Sequence, residues 1–136
     1  MLVDNNNNIP GILISGGYGA YTSVEVYSAN YHCILPSLPD ERVDHTSDEG
    51  TLCGGQNDLV TDHKALSTCI TFSSGKWVTS HALAERRAYH TSWNNKEEGK
   101  IILMGGWYSG TGRTTETITE GEYDGVPGFN MKYDTW

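Results

Sequence analysis

The feature that most limits how this chain can fold is a pattern repeated at a fixed spacing. Leu38, Arg42, His45, Thr46 and Ser47 are matched by Leu83, Arg87, His90, Thr91 and Ser92, each pair 45 positions apart. Five matches in one frame mark an internal repeat, and repeat units bury their cores against their neighbours. Apolar runs also lead into a glycine pair three times, at Gly16-Gly17, Gly54-Gly55 and Gly105-Gly106. After each pair comes a strand-like segment rich in β-branched residues: Val24 to Tyr27, Thr68 to Phe72 and Thr115 to Ile118. A further segment carries an anchor residue, Cys33 in the first unit and Trp77 in the second.

Each unit therefore reads as four strands. Strand a holds Arg-x-x-His-Thr-Ser, strand b runs into Gly-Gly, strand c follows, and strand d carries the anchor. The chain divides into a flexible lead-in (1–10), a partial unit with strands b to d (11–37), and a full unit (38–80). A nearly full unit (83–129) and the start of a further unit or a tail (130–136) complete it. The glycine pairs are unevenly spaced, so insertions fall in loops, above all in the b–c connections. Variable loops on a constant frame are where binding surfaces are usually written.

Composition narrows the function. Sixteen glycines with eight Tyr and four Trp suit short strands joined by tight turns. Nine Lys and Arg against seventeen Asp and Glu give a net charge of −8, the wrong sign for binding phosphate backbones or anionic membrane surfaces. No apolar run reaches membrane-spanning length. The first ten residues lack the basic start and apolar stretch of a secretory signal, so either the chain stays where it is made or a leader lies outside this sequence.

Taken together, the apolar run into Gly-Gly, the Val-Glu-Val-Tyr strand, the aromatic anchor and Leu-Pro…Arg-x-x-His resemble the kelch repeat over about residues 11 to 128. Residues 33–55 and 80–93 are similar, more narrowly, to secreted invertebrate kelch-type proteins. The resemblance implies an all-β fold, a partial kelch-type β-propeller of roughly two and a half four-stranded blades. It departs from the pattern at Phe72, where the repeat has Tyr, and at Cys33, where it has Trp. Propellers use about four to eight blades. The expectation is therefore a fragment of a longer propeller, or a protomer that closes its ring by self-assembly.

The candidate chemistry is mostly architectural. Arg42, Arg87, His45 and His90 recur in the frame, whereas an active site needs a unique constellation; Glu25 and Glu116 are the natural carboxylate partners for the arginines. His32, His63 and His81 show no metal-ligand spacing. Neither a serine elbow nor a phosphate loop is present. No catalytic residue, metal site or cofactor is expected. Some kelch-type propellers are copper oxidases, so a galactose-oxidase-like enzyme with its chemistry in other blades is the alternative.

Cys53 precedes a glycine pair where the other units have Ser15 and Met104, and Cys69 stands near the start of strand c, aligned with Glu25 and Glu116. Antiparallel b and c strands would set them side by side, so a Cys53–Cys69 disulfide is expected. Three reduced thiols, or a bond involving Cys33, are the other readings. A disulfide would place the protein outside the cytosol. The best functional candidates are loop aromatics: Tyr18 and Tyr21 in the first b–c loop, and Trp107, Tyr108 and Arg113 in the third. They suit a protein partner, with a glycan as a further alternative. Tyr18 and Trp107, directly after their glycines, could instead pack between blades.

Overall fold

A computed structural model describes residues 11–48, 50–57, 64–95, 97–107 and 114–119. Everything regular in them is β-strand, in small antiparallel sheets, with no helix among the described residues. Strands β1 (Gly11–Ser15), β2 (Val24–Ser28) and β3 (His32–Ile34) form the first sheet. Strands β4 (Thr46–Asp48) and β5 (Thr51–Cys53) open the second. A two-stranded ribbon, β6 (Gln56–Asn57) with β7 (Lys64–Ala65), then interrupts it. Strands β8 (Thr68–Ser73) and β9 (Lys76–Ala82) complete it in the order β4-β5-β8-β9. The third sheet is β10 (Thr91–Asn95), β11 (Lys100–Met104) and β12 (Thr115–Thr119).

Register defines which positions correspond. Ser15 faces Val24, Cys53 faces Cys69 and Met104 faces Thr115, in each case at the last residue before the glycine pair. One place further along, Ile14 faces Glu25, Leu52 faces Ile70 and Leu103 faces Glu116. Cys69 thus corresponds to Val24 and Thr115, one position away from the alignment expected with Glu25 and Glu116. The residue that replaces the glutamates is Ile70. β-branched residues dominate these strands, and the side-chain period of two sends alternate positions to opposite faces.

Three further expectations need correction. Arg42, His45, Arg87 and His90 lie in the approach to strand a, and the strands begin at Thr46 and Thr91. Asp44 and Tyr89 sit at φ 54, a left-handed conformation that breaks the extension just before each histidine. The anchor place of the first unit belongs to His32, since Tyr27 pairs with His32 as Phe72 pairs with Trp77. Tyr27 and His32 stack at 4.2 Å, whereas Cys33 is exposed and free. Finally, the second b–c connection is not simply a loop, because it carries the β6–β7 ribbon.

The core lies in two seams between sheets. Val24 and Leu38 pack with Leu52 and Ile70, flanked by Leu13, Leu35 and Trp77. Cys53, Cys69 and Leu83 pack with Ile101, Leu103 and Ile118. Leu52 and Ile70 therefore face the first sheet, and Cys53 and Cys69 face the third. Trp77 ties the first seam further by donating its indole N–H to Pro36 O at 2.8 Å. The outward faces remain exposed: Ile12, Ile14, Tyr27 and Ile34 on the first sheet, Trp93 and Met104 on the third.

Candidate binding platform

Two repeated positions build the candidate site, and the arginines fix both. Arg42 and Arg87 are 0% and 1% exposed. Arg42 donates through Nη1 to Gly54 O and Thr68 O, and through Nη2 to Thr68 Oγ1. Arg87 donates in the same way to Gly105 O, Thr114 O and Thr114 Oγ1, and reaches Glu116 Oε2 at 3.2 Å. Meanwhile the backbone carbonyl of each arginine accepts from the glycine pair of the preceding unit, Gly17 N to Arg42 O and Gly55 N to Arg87 O, both at 2.9 Å. Each arginine therefore grips its own unit with its side chain and the preceding one with its backbone.

This explains the glycines. A Cβ on Gly55 would stand 2.6 Å from Val43 O, and one on Gly106 would stand 2.8 Å from Ala88 O. Both glycines also hold positive φ, where side chains are strained. The approach segments lie too close for any side chain at these positions.

The histidines add a second link across each seam. His45 Nε2 lies 3.0 Å from Ser15 Oγ, and His90 Nε2 lies 2.9 Å from Thr46 Oγ1. Burial first, then the neighbouring arginine, pushes each imidazole down to about 4, so both are neutral at pH 7. Hydrogen bonding a neutral ring to a hydroxyl across a seam is structural work.

Of the two expected carboxylate partners, only Glu116 meets an arginine. Glu116 is buried, pairs with Arg87 and accepts from the Ala84 N–H at 2.7 Å. Burial pushes its carboxyl up, against the pull of those two donors. Glu25 does not reach Arg42, because the unit holding Arg42 has Ile70 at the glutamate position. Glu25 lies instead on the open face of the first sheet, bonded to Tyr27 Oη at 2.6 Å and His32 Nε2 at 3.0 Å. The Tyr27 hydroxyl, and after it His32, hold its carboxyl below the usual range.

The residue after each glycine pair is Tyr18, Gln56 or Trp107, and the residue two after each arginine is Asp44 or Tyr89. Backbone pairing brings these positions together: Val43 bridges Gln56, Ala88 bridges Trp107, and Tyr89 N donates to Asp44 O. Gln56 Nε2 donates to Asp44 Oδ2 and to Tyr89 Oη, both at 3.1 Å. Bonding to Asp44, with a smaller share from Tyr18, pushes the Tyr89 phenol up, so it stays protonated. Tyr89 and Trp107 meet edge to face, centroids 6.3 Å apart and planes at 68°.

Tyr18, Tyr89 and Trp107 are 68%, 54% and 64% exposed. The structure thus draws Tyr18 and Trp107 into one surface and leaves both rings outside the seams. Tyr21 is half-buried, and its carbonyl receives the Arg42 N–H. Tyr108 and Arg113 lie outside the described residues. Sequence reading missed Asp44, Gln56 and Tyr89, although the frame marks all three as the variable residues beside Gly-Gly and Arg-x-x-His. Left-handed backbone at non-glycine residues such as Asp44 and Tyr89 concentrates at functional sites.

Cys53 and Cys69 form a disulfide across β5 and β8, with both residues buried in the second seam. Among the described residues no three His, Cys, Asp or Glu side chains converge as a metal site would require. None of their helices is long and apolar enough to cross a membrane, since there are none. No known protein-family model matches the chain, and no curated protein is significantly similar to it.

Proposed function

We propose that the chain is a non-catalytic interaction module of kelch-propeller type, and that Tyr18, Tyr89 and Trp107 around Asp44 are what it presents to a protein partner. The observation that carries this reading is the contrast between frame and platform. The frame repeats Gly-Gly, Arg and His unchanged, while the five positions beside it differ from unit to unit and three of them, Tyr18, Tyr89 and Trp107, are exposed aromatics. Those residue types concentrate binding energy at interfaces.

The propeller arrangement is supported by the equivalent registers of the three main sheets and by arginines that join successive units. The exposed apolar faces of the first and third sheets suit packing against further sheets, in a longer chain or another copy. The Cys53–Cys69 bond supports work in an oxidising compartment outside the cytosol.

The test compares immobilised wild type with the variant Tyr18→Ser, Tyr89→Ser, Trp107→Ser in secreted fractions of the source. A defined protein held by wild type and lost by the variant is the expected result. Equal retention by both, or turnover of a small molecule by the purified chain, would contradict it.

A further inference from the structure

We infer that the corner formed by Tyr89 and Trp107 beside Asp44 receives an ammonium-bearing side chain of the protein partner, an inference that rests on the platform reading above. Two exposed rings with planes at 68° and centroids 6.3 Å apart meet as two walls of a corner. Ring faces carry the negative part of the aromatic quadrupole, so an ammonium group set against Trp or Tyr is attracted to them. Asp44 supplies a full negative charge alongside.

The carboxylate is held in place and not neutralised. Gln56 Nε2 donates to it at 3.1 Å, yet no lysine or arginine among the described residues pairs with it. The cations nearest in sequence are committed elsewhere: Arg42 points to Gly54 and Thr68, and Arg87 to Gly105, Thr114 and Glu116. His45, the neighbour of Asp44, is neutral at pH 7 because burial lowers it to about 4. Among the described residues the charge beside the corner is thus negative, in a chain whose net charge is −8.

The same polar groups suit a sugar less well. A hydroxyl-rich ligand needs several outward donors and acceptors, whereas the Gln56 amide is buried and its Nε2 is already shared between Asp44 and Tyr89. Among the described residues, the corner offers aromatic surface and the Asp44 carboxylate.

The probes are choline and 3,3-dimethylbutanol, which share a shape and differ in charge, each titrated into the folded chain and followed by NMR. Choline is expected to shift the Trp107 indole N–H and the Tyr89 ring, binding at least about tenfold more tightly than the neutral isostere. Asp44→Asn should weaken choline several-fold with the remaining amide spectrum unchanged. Trp107→Ala, at an exposed ring, should abolish the preference for charge. Equal binding of the two probes would overturn the inference, as would an unmoved Trp107 or a response to methyl glucoside without one to choline. If the triple variant loses its protein partner while choline leaves the corner untouched, the platform reading stands and the ammonium inference falls. If the triple variant keeps its partner, the platform reading itself falls.

Discussion

Arg42 and Arg87 hold the same post in successive units, yet their surroundings are satisfied differently. Both are buried, and both donate to the carbonyl of the first glycine and to the Thr at the start of strand c. Only Arg87 has a carboxylate, Glu116. Arg42 has Ile70 at that place, and with only Asp40 as a weak offset its burial lowers the guanidinium to about 10. The unit that lacks the ion pair carries the disulfide instead, at the adjacent position of the same two strands. The comparison teaches that the frame requires an arginine to hold the glycine turns together but not a partner for its charge. Replacing a buried ion pair by apolar packing is commonly tolerated, whereas removing one member of the pair is not.

The two arginines should therefore fail unequally. Arg87→Met leaves Glu116 buried without its cation and should cost about 3–5 kcal/mol in urea unfolding. Arg42→Met leaves only carbonyl and hydroxyl acceptors unmet and should cost about 1–3 kcal/mol. Adding Glu116→Met to Arg87→Met should recover part of the loss, and equal costs for the two single variants would break the comparison. Reducing Cys53–Cys69 should cost about 3 kcal/mol, the value for a loop of this length. That loss should be read as a lower urea midpoint with reductant, and it should be absent in a Cys53→Ser, Cys69→Ser variant.

The histidines sharpen the comparison through pH, because both seams use one. His45 and His90 titrate at about 4 when folded and at 6.5 when free, so the unfolded chain takes up protons first. Their contribution is complete above pH 6.5 and lost as pH falls towards 4, a decline of at most about 3 kcal/mol for each ring. His90→Gln should flatten that part of the curve, and an unchanged slope would remove His90 from the account. The smallest effect belongs to the exposed glutamate. Glu25→Gln should leave the urea midpoint nearly unmoved, whereas Glu116→Gln should lower it clearly.

Much of the frame was legible in sequence. Five matched residues and three glycine pairs fall at recurring places around the sheets, and the joint appearance of Cys53 and Cys69 beside one glycine pair pointed to their bond. What stayed hidden was register. A one-residue offset moved Cys69 onto the Glu116 position, and counting from Tyr27 passed over His32 to reach Cys33, because sequence spacing does not specify which residues pair across strands. The platform was half legible. Tyr18 and Trp107 stand out as aromatics after glycine, but Asp44, Gln56 and Tyr89 join them through backbone bridges, side-chain hydrogen bonds, a ring contact and left-handed backbone, none of which has a marker in residue type.

The most direct test of the account is amide hydrogen exchange at Gly17 and Gly55, the two donors that each join one unit to the arginine carbonyl of the next. Both amides should be protected and should exchange only with global unfolding, and Arg87→Met should release Gly55 while sparing Gly17. Exchange of Gly17 and Gly55 at the rate of open loops in the intact chain would mean that the units are not joined in this way.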